Sequence, residues 1–286
     1  MYLPGRILLT VALALAGCAS PTIPATTPTT NTSELQLLAT TATAGLLQEL
    51  TREYQLVRGG LVLNTAQDNY AGLANRLRQG DGPVYFLSTH VPADSDMWAA
   101  PIAYDSIAII VNTANPVESV SLEQIRAIYR GRLSNWAALG GQDLPVTVFS
   151  REDGAGTRIE FENLLMGNRE TLQAALVTPS NAAMLERVGE EAAGIGYVSG
   201  SMLPATVRPL AVEGVLPAGG NLADRTYPLR TTVFVVGSGE PEGEFRMFIS
   251  WIQSPAGQAV VARRYAPLLP RPQLDGNEEG SEDDEE

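Results

Sequence analysis

The chain has 286 residues, 44% of them hydrophobic and 18% charged, enough for two modest domains with cores of their own and unlike a disordered protein. All 19 basic residues are arginine, and 32 acids bring the net charge to −13; that balance excludes a duplex nucleic-acid partner, which requires a basic stripe to displace counterions. A single histidine and a single cysteine supply too few ligands for the usual zinc centres, and no cofactor is expected.

Residues 1–17 read as an export signal: Arg6, then the apolar run ILLTVALALAG, far shorter than the ~20 residues of a membrane-spanning helix. LAGC follows at 15–18 and resembles a bacterial lipobox, which predicts cleavage before Cys18 and a membrane anchor through its acylated thiol. The Ser/Thr/Pro-rich stretch 18–33 then reads as a tether. At the other end, 269–286 reads as a solvated acidic tail; eight acids fall within 275–286, leaving 24 acids against the 19 arginines elsewhere.

Between these ends strand and helix signals alternate. ELQLLAT predicts a strand and TATAGLLQELTREYQ a helix with Leu46, Leu47 and Leu50 on one side, so Thr40, Thr41 and Thr43 fall where strand passes to helix. GLVLNT and PVYFLST are two further strands around the helical AGLANRLRQG, an order that predicts a mainly parallel sheet covered on both faces. PIAYDSIAIIVNTANPV, 101–117, is a longer apolar run. SLEQIRAIYRG predicts a helix with Ser121 and Gln124 in capping-box spacing and Gly131 at its stop. PVTVF is a strand, TRIEFENLLM a helix, and GIGYVSGSM and ATVRPLAV short strands. YPLRTTVFVV is a last strand, before two helices broken at Ser254-Pro255. The runs near 101–111 and 205–212 are candidate crossings between two α/β units.

SREDGAGTR, 150–158, joins the PVTVF strand to the next helix. Glycines at 154 and 156 free the backbone to aim several N–H groups at one point, and the helix start adds its own unsatisfied N–H groups. Thr157 can donate a hydroxyl hydrogen bond, Arg151 a guanidinium fork suited to a tetrahedral oxyanion, and Asp153 can orient Arg151 or cap the helix. A merely capped strand-to-helix turn has the same pattern, so the glycine spacing alone does not choose.

SREDGAGTRIEFE resembles the signature segment of the periplasmic and lipid-anchored phosphate-binding proteins of ABC transporters. LEQIRAIYRGRLSNWAALGG, GIGYVSGSM and YPLRTTVFVV fall in the order expected of that family, and the resemblance covers about residues 34–268. It implies a two-lobed α/β fold of the type II periplasmic-binding-protein kind, each lobe a mixed, mainly parallel sheet flanked by helices, with two crossings. Lobe 1 would comprise 34–108 and 205–268, lobe 2 109–204. The implied ligand is inorganic phosphate or a related oxyanion, the partner a transporter permease, and the state a monomer on the extracytoplasmic face of the membrane. Arg151, Gly156 and Thr157 match the family's binding turn, with Asp153 in the supporting position; Thr41 and Thr43 lie in the region of its first phosphate-contacting loop.

Two departures stand out. Ala155 occupies the place of the family's usual serine, and after the third strand Ser88, Thr89 and His90 stand where the family has an aspartate that repels unprotonated anions such as sulfate. These leave open a ligand-free sensor or adhesion module on the same fold, or a protein for sulfate, molybdate or tungstate. An enzyme is not expected: His90 is the only histidine, and no G-x-S-x-G elbow accompanies it. Trp98, Trp136 and Trp251 could stack on an organic ligand, though core packing is the commoner use.

Overall fold

A computed structural model describes residues 33–80, 84–93, 96–167 and 171–268. The export signal, Cys18, the tether through Thr32 and the acidic tail lie outside the described residues.

The first third alternates as its periodicity predicts: β1 (Ser33–Thr40), α1 (Ala44–Val57), β2 (Leu61–Asp68), α2 (Tyr70–Gln79) and β3 (Tyr85–Ser88), with β1 parallel to both β2 and β3. α1 buries Leu46, Leu47 and Leu50. α2 is capped at its start by the Asn69 side chain, which accepts from Gly72 N at 2.8 Å, and stops at Gly80 in a left-handed conformation of φ 74°.

β4 (Trp98–Asn112) is a single 15-residue strand. β5 (Ser119–Val120) leads into α3 (Leu122–Tyr129), whose capping box is complete: Gln124 N donates to Ser121 Oγ at 3.1 Å, and Ser121 N to Gln124 Oε1 at 2.7 Å. β6 (Thr147–Arg151) gives way to α4 (Gly156–Phe161), extended by a π-type turn over Glu162–Met166. The remainder is β7 (Leu176–Thr178), α5 (Asn181–Glu190), β8 (Gly194–Ser199), β9 (Val207–Pro209), β10 (Ala211–Val212), α6 (Gly219–Ala223), β11 (Arg230–Gly237), α7 (Gly243–Gln253), α8 (Pro255–Val261) and β12 (Ala266–Pro267). Ser254 ends α7 and caps α8, with Pro255 at the first helical position where its missing N–H costs nothing.

The sheet corrects one expectation. Instead of two mainly parallel sheets, one mixed sheet runs β2-β1-β3-β11-β4-β8-β6-β7. The first half of β4, through Ser106, pairs antiparallel with β11, and its second half, from Ile107, pairs antiparallel with β8 and β9. Strand direction is invisible to hydrophobic periodicity, and the run at 101–111 is long enough to serve both halves. The 205–212 run, expected as the second crossing, adds β9 to the far end of β4 and pairs β10 with β5. The chain returns later, where Leu229 C=O accepts from Ile107 N at 2.8 Å just before β11.

Each half has a core. One gathers Ile109, Val111, Tyr129, Trp136, Phe161 and Tyr197; the other gathers Leu37, Leu47, Leu50, Val233, Phe248 and Ile252. Each fully buried side chain of this size contributes about 1.5–3 kcal/mol. The tryptophans belong to these cores: Trp136 is buried and donates Nε1–H to Ala193 C=O at 2.9 Å, and Trp98 and Trp251 pack on the other core. Among the described residues no helix is long and apolar enough to cross a membrane.

Candidate functional site

β6 delivers Arg151 to the end of the sheet with no exposed surface. Its Nε and Nη2 donate to the two carboxylate oxygens of Glu152 at 2.9 and 3.0 Å, and Nη1 donates to Asn181 Oδ1 at the start of α5. A guanidinium carries five N–H donors. Three are held by these partners, which leaves two uncommitted. Arg151 N donates to Tyr197 OH at 3.2 Å, and burial pushes the Tyr197 phenol up to about 12, so it stays a neutral hydroxyl.

Asp153 does not reach Arg151. Its side chain is 92% exposed and pairs with Arg158, whose Nη1 also donates to Arg151 C=O at 3.0 Å. The support expected of Asp153 therefore comes from Glu152, with Asp153 holding Arg158 outside the turn. Gly154 has φ 82°, which reverses the chain so that Ala155 N donates to Glu152 C=O at 3.2 Å. Ala155, 2% exposed, occupies the N-cap of α4 with no side-chain cap, so its missing hydroxyl is also a missing cap.

The facing wall comes from β1, β3 and the start of α2. A Cβ placed on Gly156 would lie 3.6 Å from Tyr70 Cβ, 3.8 Å from Thr89 Oγ1 and 3.9 Å from Thr40 Cγ2. Gly154 C=O accepts from Ala71 N at 3.2 Å. The structure thus brings Gly156 and Thr89 together, with Thr40 rather than Thr41 as the nearest threonine of the first loop. Thr41 is half-buried and makes no side-chain hydrogen bond. Thr43 is committed elsewhere: its hydroxyl donates to Leu87 C=O at 2.8 Å and sits 3.0 Å from Thr40 Oγ1, tying the β1–α1 turn to β3. Ser88 Oγ is likewise occupied by His90, donating to its C=O at 2.9 Å and accepting from its N at 3.0 Å.

Two threonine hydroxyls beside the turn are uncommitted, and so is the buried Tyr70 hydroxyl. Thr89, 5% exposed, has no hydrogen-bond partner for Oγ1, and Thr157, 2% exposed, makes no side-chain hydrogen bond. Sequence reasoning missed Glu152 and Asn181 as the partners of Arg151. Glu152 could have been weighed as its neighbour, whereas nothing local marks Asn181, which reaches Arg151 only through the β6–β7–α5 topology. Among the described residues no group of three His, Cys, Asp or Glu side chains could hold a metal ion.

A family profile described as PBP superfamily domain matches residues 24–256. The phosphate-binding protein PstS of Bacillus subtilis (strain 168) is 28% identical over 154 residues, 54% of this chain and 51% of that protein, so the chain spans about half the length of this relative. A Clostridium perfringens protein, assigned as a phosphate ABC transporter substrate-binding protein and crystallised with phosphate, superposes with a TM-score of 0.76 at 24% identity, over 83% of this chain and 100% of that one. An ABC-type phosphate transport receptor from Vibrio cholerae gives 0.68 at 25% identity, over 82% and 100%. The likeness to the Clostridium protein is one of fold: the mixed α/β arrangement of the type II binding proteins.

Proposed function

The chain belongs to the PBP superfamily, and on that premise we propose that it captures phosphate, or a related tetrahedral oxyanion, between the Arg151–Thr157 turn and the loops bearing Thr40 and Thr89. The two halves of the sheet act as lobes, with 34–106 and 230–268 forming one and 107–229 the other. The boundary expected at 205 moves to 230 because β9 and β10 pair with the far end of β4 and with β5, and Leu210, Val212, Tyr227 and Leu229 pack in the core of Ile109 and Trp136. A permease of an ABC transporter receives the anion, and the acylated Cys18 holds the protein at the extracytoplasmic face of the membrane. The function is binding, without catalysis.

One observation carries the reading: a fully buried Arg151 keeps two N–H donors free, near a turn whose Gly156 faces the partnerless hydroxyl of Thr89. Buried donors without acceptors are costly, and a tetrahedral oxyanion supplies several acceptors at once. Glu152 neutralises Arg151, so binding energy comes from directed hydrogen bonds rather than from net charge.

Thr89 also favours a broadened choice of anion. A hydroxyl can accept the proton of hydrogen phosphate, and it can equally donate to an unprotonated oxygen, so it lacks the repulsion by which a carboxylate rejects sulfate. Calorimetric titration of the purified chain with phosphate, sulfate, molybdate and tungstate tests both points. Phosphate is expected to bind, with sulfate competing measurably. Silence from all four would overturn the proposal in favour of a ligand-free module on this fold.

A further inference from the structure

His90 and Glu160 lie on opposite sides of the candidate site, one after β3 and the other in the second turn of α4. His90 Nδ1 donates to Glu160 Oε1 at 2.6 Å, with side chains only 13% and 16% exposed. Among the described residues this is the one contact within 4 Å between a basic and an acidic side chain that joins the two halves. Tyr70 packs its ring edge-on against His90 at 4.8 Å, which fixes the imidazole from behind. The other contacts across the turn are apolar packing of Ile159 on the cluster of Leu38, Tyr70, Leu73 and Phe86, van der Waals approach at Gly156, and one backbone hydrogen bond of 3.2 Å between Ala71 and Gly154. A hydrogen bond to an ionised carboxylate is roughly twice as strong as a neutral one.

Position gives the pair its consequence. His90 directly follows Thr89, and Glu160 lies three residues beyond Thr157 on the same helix, hence on the same face. Holding His90 to Glu160 therefore sets the register between Thr89 and Thr157, two threonine hydroxyls that no protein group occupies.

We propose that His90 and Glu160 are a cross-cleft positioning pair that holds the two halves together over the bound oxyanion and sets how long it stays. The proposal rests on the oxyanion-binding reading for its ligand, but its structural half is testable without one. Breaking the pair leaves Arg151 and the turn intact, so capture is unchanged and escape is faster.

The test uses the full chain with inorganic phosphate as the probe, in wild type, Glu160→Ala, His90→Gln and the double variant. Glu160→Ala is expected to release phosphate about tenfold faster while the association rate stays within about twofold. His90→Gln should do the same, and the double variant no worse than either single, as for two halves of one interaction. Hydrogen–deuterium exchange of the ligand-free proteins should show faster exchange over 88–91 and 156–161 in each variant. Release rates within about twofold of wild type, or single effects that simply add, would overturn the pair's role. If no protein, wild type included, binds phosphate, the oxyanion reading fails, and exchange alone then decides: unchanged exchange overturns the latch, faster exchange upholds it.

Discussion

Arg151 and Glu152 are neighbours in sequence whose side chains close on one another, the Nε and Nη2 of the arginine donating to the two oxygens of the glutamate at 2.9 and 3.0 Å. A lysine at 151 would keep the charge and lose the fork, so it could not hold Glu152, Asn181 and an anion together. Arg151→Lys should therefore lose on the order of 100-fold in phosphate affinity, the cost of one or two hydrogen bonds to a charged group. Calorimetry gives the affinity and circular dichroism the fold; unchanged affinity would remove Arg151 from the site.

Ala155→Ser should gain in two ways. The backbone at 155 already has N-cap dihedrals, φ −70° and ψ 126°, so a serine hydroxyl can accept from an N–H of the first turn of α4. That is worth about 1 kcal/mol of stability. If the hydroxyl turns to the ligand instead, affinity rises while stability does not. Thermal melting with and without phosphate separates the two, and a variant matching wild type in both would show that position 155 contributes only its small size.

The strands, helices and the turn between β6 and α4 were legible because each has a local signature: the capping box at Ser121 and Gln124, the Ser254-Pro255 break, the glycines at 154 and 156 after an apolar strand. What was not legible depends on pairing at long range. The mixed sheet arises because β11 returns beside β4, and no residue in either strand declares the direction of its neighbour. In the site, Glu152 and Asp153 are both acids next to an arginine, and only the left-handed Gly154 decides that the first turns inward and the second out to Arg158. Thr41 and Thr43 were the natural choices from the strand-to-helix junction. The observed hydrogen bond from Thr43 to Leu87 C=O shows how a neighbouring strand can claim such a hydroxyl.

The proposed lipid anchor makes a separate prediction, since Cys18 is the only cysteine in the sequence. Cys18→Ala in the expressed full chain should move the protein from the membrane fraction to the soluble one without altering phosphate affinity. Retention in the membrane fraction would refute attachment through this residue.

Asp105, on β4 at the passage between the halves, sets a pH dependence. Burial pushes its carboxyl from the ordinary 3.8 up to about 6, partly offset by hydrogen bonds from Ser199 Oγ and the N–H groups of Ser106 and Ser201. Between 3.8 and about 6 the unfolded chain has released the proton that the folded protein still holds, so this group makes stability fall as pH rises through that window and level off above it. The loss is roughly 3 kcal/mol. Asp105→Asn should remove it: the amide oxygen keeps the backbone donors, and the Ser199 hydroxyl can turn to accept from the amide nitrogen. Urea unfolding at pH 4 and pH 7 would then differ less in the variant than in wild type, and an equal difference would place the effect on another group.

Gly154 links backbone geometry to closure of the site. Its φ of 82° is unfavourable for any residue with a Cβ, and a Cβ there would stand 2.7 Å from Ala71 Cβ, closer than two carbons tolerate. Gly154→Ala should therefore push the start of α2 away from the turn, break the Ala71 to Gly154 hydrogen bond and weaken phosphate binding about tenfold by holding the halves apart. Backbone strain alone would act through stability, and Gly140→Ala isolates it: φ is 76° there, with nothing within 4 Å of the added Cβ. The two variants should lose similar stability from strain, but only Gly154→Ala should lose affinity. Equal affinity in both would mean that capture does not require α2 to meet the turn at Ala71.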